Sequence, residues 1–170
     1  MQHNIALALL TEHNDFADAT HLVEVQGMSS PRVCRFLNAL VRHMEPHEHY
    51  LEIGTWQGLT LLSAAHNNTD KVCFACDKFR FWGRHTGLGS RVRRTFFNNL
   101  KRYQDTSAKI RFFEMRSEQL FRKHLVQAPI GVYFYDGDHS REGTRHGIEA
   151  AAPLLSEQAV VLVDDWNDPN

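Results

Sequence analysis

Two short stretches of the chain concentrate side chains able to hold a cation or move a proton. Asp136-Gly137-Asp138-His139-Ser140 follows the apolar run Val132 to Tyr135, and Asp164-Asp165-Trp166 follows the apolar run Ala159 to Val163. Four carboxylates gathered at the tips of neighbouring strands repel one another and raise each other's pKa unless a cation lies among them. Donors that are all oxygen suit Mg²⁺ or Ca²⁺ rather than zinc. His139 sits beside them, where on its own it reads as a loop histidine.

A second set of residues is built to meet a ligand with backbone. Glu52-Ile53-Gly54-Thr55-Trp56-Gln57-Gly58 ends the apolar run Tyr50 to Ile53 and opens the helical stretch Leu59 to His66. Glycines let the chain turn tightly and approach a ligand, and the helix that follows offers N–H groups to a negative group. A side chain at Gly54 is therefore expected to intrude on the ligand while leaving the fold intact. The dinucleotide fingerprint G-x-G-x-x-G is absent, since only a four-residue glycine spacing is present. Asp77, about 20 residues beyond the turn at the end of Val72 to Cys76, is placed to accept hydrogen bonds from ribose hydroxyls, or else to cap its own strand end. After Ile110 to Phe113 comes Glu114-Met115-Arg116-Ser117-Glu118, in which Ser117 is equally a helix N-cap.

These residues need a scaffold that brings strand ends together. The runs Tyr50 to Ile53, Val72 to Cys76, Ile110 to Phe113, Val132 to Tyr135 and Ala159 to Val163 alternate with Leu59 to His66, Arg91 to Tyr103, Ser117 to His124 and Arg141 to Leu155, each long enough for a crossover helix. Continuous hydrophobicity in the runs means that both sheet faces are covered. The expected fold is α/β, a doubly wound, mostly parallel Rossmann-like sheet, with ligands beyond the carboxyl ends of its strands. Residues 1–48 are expected to form an N-terminal helical segment and residues 49–170 the α/β core of a single domain. Within the first, Ser30-Pro31 supplies an N-cap and first-turn proline to a helix carrying Val33, Phe36, Leu37, Leu40, Val41 and Met44. Phe79 to Ser90, with three glycines, reads as a loop of functional length.

The turn Glu52-x-Gly54-x-x-x-Gly58 resembles the E/D-x-G-x-x-x-G motif of class I S-adenosylmethionine-dependent methyltransferases. The pair Asp-Gly-Asp-His-Ser and Val-Asp-Asp-Trp resembles the metal-dependent O-methyltransferases, of which the catechol type is one branch and the macrocin and aminocoumarin sugar type another, closer in motif. The resemblance covers roughly Gly27 to Trp166. It implies S-adenosylmethionine bound by Glu52, Gly54, Thr55, Gly58, Thr60, Asp77, Lys78, Ser117 and Asp136. It implies Mg²⁺ or another divalent cation on Asp136, Asp164 and Asp165, and Asp138 or His139 as the base. The activity implied is O-methylation of a small hydroxylated substrate. A metal-independent methyltransferase and a non-catalytic cofactor-binding domain are the alternatives. Such enzymes continue past the fifth strand with a helix and two further strands, whereas this chain stops at Asn170. The expectation is a fragment of a longer protein, with a homodimer through the fifth-strand edge as second choice.

Composition narrows the partners. The 170 residues are 42% apolar and 23% charged with a formal charge of −1, which supports a globular chain and argues against a globally cationic nucleic-acid or membrane binder. No apolar run approaches the roughly 20 residues of a bilayer span, and the start lacks a secretory signal, so a cytoplasmic location is expected. Lys78, Arg80, Arg84, Arg91, Arg93, Arg94, Lys101 and Arg102 fall in one stretch free of Asp and Glu. That stretch is either a mouth for an acidic or sugar-containing small molecule, or for nucleic acid, or else a solvated helix face plus a partly ordered loop. Cys73 and Cys76 have the spacing of a redox pair, but residues three apart in a strand face opposite sides, so buried structural thiols are expected.

Overall fold

A computed structural model describes residues 21–79 and 87–165. The elements run α1 (Pro31–His43), β1 (His49–Ile53), α2 (Leu59–Ala65), β2 (Val72–Asp77), α3 (Leu88–Tyr103), β3 (Lys109–Glu114), α4 (Ser117–Arg122), β4 (Ile130–Tyr135), α5 (Arg141–Ala151) and β5 (Leu155–Val163). The strands form one five-stranded sheet in the order β3-β2-β1-β4-β5 with every pair parallel. This is the doubly wound architecture expected from the alternation of apolar runs and helical stretches.

Alternate strand residues feed two cores. Tyr50, Cys73, Ala75, Val132 and Phe134 pack with Leu37 and Leu40 of α1, Leu61 and Ala64 of α2, and Val92 and Phe96 of α3. Leu51, Ile53, Phe74, Cys76, Tyr133 and Tyr135 pack on the opposite face with Leu120 of α4 and Ala151 of α5. Cys73 and Cys76 thus face opposite sides, free and buried. Burial pushes both thiols up, Cys76 to about 12, which removes the thiolate that redox chemistry requires.

The N-terminal signal of α1 is realised as read. Ser30 Oγ accepts from Val33 N–H at 3.2 Å and Pro31 occupies the first turn. Buried Asn38 on α1 donates to the carbonyls of Ser63 and His66 at the end of α2, both at 2.7 Å, and so satisfies acceptors that the helix cannot. Lys71, also buried, donates to Met44 O at 2.7 Å and closes α1 the same way. Of the 1–48 segment expected to be helical, residues 21–30 carry no helix and residues 1–20 lie outside the described residues.

The carboxyl-terminal third departs from expectation. The helix read as Arg141 to Leu155 stops at Ala151, and a 3-10 turn Ala152–Leu154 holds Pro153, which cannot continue an α-helix because it lacks an N–H. The chain then extends at once, so the strand read as Ala159 to Val163 begins at Leu155 and is nine residues long. Extra length is absorbed by a register shift: Ile130 pairs with Leu155, whereas Val132 pairs with Val160. Among the described residues no helix is long and apolar enough to cross a membrane.

Candidate functional site

Strand order reverses between β1 and β4, which opens a crevice over the carboxyl ends of the strands. The tip of β1 is bonded to both neighbours. Gly54 N–H donates to Cys76 O of β2 at 2.9 Å, and Asp136 N–H donates to Ile53 O at 2.8 Å. Gly54 has φ +86°, and a Cβ built there would collide with the Asp136 carbonyl rather than project into the crevice. The expectation that a side chain would block a ligand and spare the fold is therefore corrected. Gly54→Val is expected to part the tips of β1 and β4 and destabilise the whole domain, read as a lower urea midpoint; an unchanged midpoint would refute it.

The turn that follows is held from below and from the side. Asp77 Oδ2 accepts from the N–H groups of Thr55 and Trp56 at 2.9 and 3.0 Å and from Thr55 Oγ1 at 3.4 Å, while Oδ1 accepts from Phe79 N–H at 2.7 Å. Asp77 thus braces the glycine turn, with acceptor capacity left on Oδ1. Trp56 and Phe79 on either side adopt φ +47°, a conformation costly for residues other than glycine. Gly58, at φ +93°, opens α2. Glu52 and Thr60 lie beneath the turn, not on it: fully buried Glu52 accepts from Tyr50 Oη at 2.6 Å and from Thr60 Oγ1 at 2.8 Å. Burial pushes the Glu52 carboxyl up to about 8 against the pull of those two donors, so it carries a proton at neutral pH.

On the other side of Gly54 stand the tips of β4 and β5. His139 lies between two carboxylates, its Nδ1 3.1 Å from Asp165 Oδ2 and its Nε2 3.7 Å from Asp136 Oδ1. Burial, then the charge of nearby Asp164, pushes the Asp136 carboxyl up to about 7. Asp138 differs from its neighbours. Its Oδ1 accepts from Ser140 N–H at 3.0 Å, and that bond holds its carboxyl below the usual range, which makes it a weak base.

Asp136, Asp164 and Asp165 are oxygen donors of the kind a hard divalent cation takes, yet as placed they do not fit one. Among the described residues no three His, Cys, Asp or Glu side chains form a metal-holding group. Asp165 turns on left-handed backbone (φ +51°) to meet the imidazole of His139, which stands where the carboxylates were expected to share an ion.

Ser117 is the first residue of α4 and Arg116 its N-cap, so the capping role falls away from Ser117. Ser117 instead lines a cavity of about 690 Å³ between α4 and α5, shared with Glu118, Phe121, Tyr135 and Asp138. Lys78 is exposed beside Asp77. In the basic stretch, Arg93 binds Glu114 at 2.8 Å and Arg102 binds Glu24 at 2.6 Å, while Arg91, Arg94 and Lys101 are exposed on α3. Arg80, Arg84 and Trp166 lie outside the described residues. The sequence reading missed the contact of His139 with Asp165.

A sequence-family profile described as a methyltransferase domain matches residues 51–166. A search of curated proteins gives no match. Solved structures share the fold. Cofactor-bound Rv0187 from MTB is 20% identical with a TM-score of 0.60, over 94% of this chain and 63% of that one. SAH-bound methyltransferase PaMTH1 from Podospora anserina is 16% identical with a TM-score of 0.58, over 94% and 61%. An O-methyltransferase from Bacillus cereus in complex with SAH is 16% identical with a TM-score of 0.57, over 94% and 64%. The chain spans less than two thirds of the length of each.

Proposed function

We propose, for a chain that belongs to the methyltransferase domain family, that it transfers the methyl group of S-adenosylmethionine to a hydroxyl oxygen of a small acceptor. One observation carries the reading: the glycine turn is bonded to Asp77 on one side and to the Asp136 backbone on the other, so nucleoside and acceptor sites adjoin. The residues suit the donor. Asp77 Oδ1 retains a lone pair for a ribose hydroxyl, and an acidic crevice suits a cationic sulfonium.

The sulfonium supplies an electrophilic methyl, whose bond to sulfur breaks with the electron pair going to sulfur as a bond to oxygen forms. What remains for this chain is alignment and removal of one proton. His139 Nε2 accepts the proton of the acceptor hydroxyl, and Asp165, facing Nδ1, fixes the ring orientation and balances the imidazolium that forms. Asp136 Oδ1 lies on the Nε2 side at 3.7 Å. The acceptor in this reading is a small hydroxylated molecule, a sugar or a phenol.

Calorimetry with S-adenosylhomocysteine tests the reading directly. Wild type is expected to bind, and Asp77→Ala to bind about 1–3 kcal/mol more weakly through lost charge-assisted hydrogen bonds. No binding at millimolar concentration would overturn it. A second reading, metal-assisted transfer on Asp136, Asp164 and Asp165, requires Asp165 to leave His139, since as placed the three carboxylates do not fit a cation. Methyl transfer that survives excess EDTA supports the metal-free route, and transfer lost in EDTA and restored by Mg²⁺ supports the second.

A further inference from the structure

We infer that Tyr135, the last residue of β4, is a positioning residue for His139, acting through a hydroxyl that pins the loop on which the imidazole is carried. The inference rests on the methyl-transfer reading for its consequence and on geometry for its substance. Tyr135 Oη accepts from Asp138 N–H at 3.0 Å and stands 3.0 Å from Gly143 O and 3.3 Å from Asp138 O. Its single proton goes to Gly143 O, the nearer carbonyl, so one hydroxyl ties the catalytic loop to the first turn of α5. The Asp138 peptide is also held at its other end, where Thr144 Oγ1 donates to Asp138 O at 3.3 Å. On the far side of His139, Ser140 N–H donates to Asp138 Oδ1 and Ser140 Oγ accepts from Gly143 N–H. His139 thus sits between two residues whose backbones are fixed, while its own side chain is half-exposed and faces the carboxylates of Asp136 and Asp165.

The helix is shaped to admit this tyrosine. A Cβ on Gly147 would collide with the Tyr135 ring, and one on Gly143 would come within 2.5 Å of the Asp138 carboxyl carbon. Two glycines one turn apart cost an α-helix about 1 kcal/mol each relative to alanine, so their presence in α5 reflects the close approach of the ring and loop. The Tyr135 side chain is buried, and burial pushes its hydroxyl up, so it remains protonated and able to donate at neutral pH.

The test is Tyr135→Phe, which keeps the ring in its slot and removes only the hydroxyl. Amide hydrogen exchange followed by NMR is expected to accelerate at least about tenfold at Asp138, with β1 and β2 amides unchanged. Methyl transfer from S-adenosylmethionine to a panel of catechol and simple glycosides is expected to lose about tenfold in kcat, with KM for S-adenosylmethionine unchanged. Unaltered exchange at Asp138, or unaltered kcat on a turned-over acceptor, would overturn the assignment. If wild type methylates no acceptor in the panel, the methyl-transfer reading loses support, and the exchange result alone decides whether Tyr135 pins the loop.

Discussion

His139→Ala is expected to lower kcat by roughly 10²–10⁴, the range over which a positioned base acts, and to leave S-adenosylhomocysteine affinity within about twofold of wild type. The separation follows from geometry. His139 faces Asp165 and Asp136 on the β4 and β5 side of Gly54, whereas the glycine turn and Asp77 lie on the β1 and β2 side. Asp165→Asn is expected to be milder, because it leaves the imidazole in place and removes only the charge that orients it. The competing base, Asp138, is already bonded to Ser140 N–H and held below the usual carboxylate range, so proton transfer to it is uphill from an alcohol. Steady-state kinetics on His139→Ala, Asp165→Asn and Asp138→Asn decide the matter. A loss at Asp138→Asn equal to that at His139→Ala, with both variants folded, would move the base to Asp138.

What could be read from residue types was where backbone or covalent constraint leaves little choice. Glycines at positions 54 and 58 followed by a helical stretch announce a turn, and the structure gives both positive φ. Apolar runs without alternation announce buried parallel strands; all five strands appear, buried in β1, β2 and β4 but partly exposed in the edge strands β3 and β5. The length of β5 was illegible because Ser156, Glu157 and Gln158 are turn-like in composition, while pairing with β4 and the stop at Pro153 decide their conformation. The carboxylate cluster was legible as a cluster but not as an arrangement. Whether Asp165 turns toward an ion or toward His139 depends on a left-handed residue that composition does not signal. Tyr135 was read as one more apolar strand residue. Its signal lay in α5, where Gly143 and Gly147 share a helix face.

The buried carboxyl under the turn makes stability depend on pH in an unusual direction. Glu52 is fully buried and its pKa is pushed up to about 8 in the folded chain, against an ordinary value of 4.5. Below about pH 4.5 both states hold the proton, and this group contributes no slope. Between about pH 4.5 and 8 the folded state keeps a proton that the unfolded state has released, so unfolding becomes easier as pH rises, by about 1.4 kcal/mol per pH unit. Above about 8 the slope from this group ends. Glu52→Gln keeps an acceptor for Thr60 Oγ1 and a polar partner for Tyr50 Oη but cannot ionise. Urea unfolding at pH 5, 6.5 and 8 is therefore expected to show the variant gaining on wild type by several kcal/mol across that range, groups not coupled to Glu52 cancelling in the difference. Two parallel pH profiles would mean that Glu52 is already ionised in the folded protein, and that a charge, not a proton, lies under the turn.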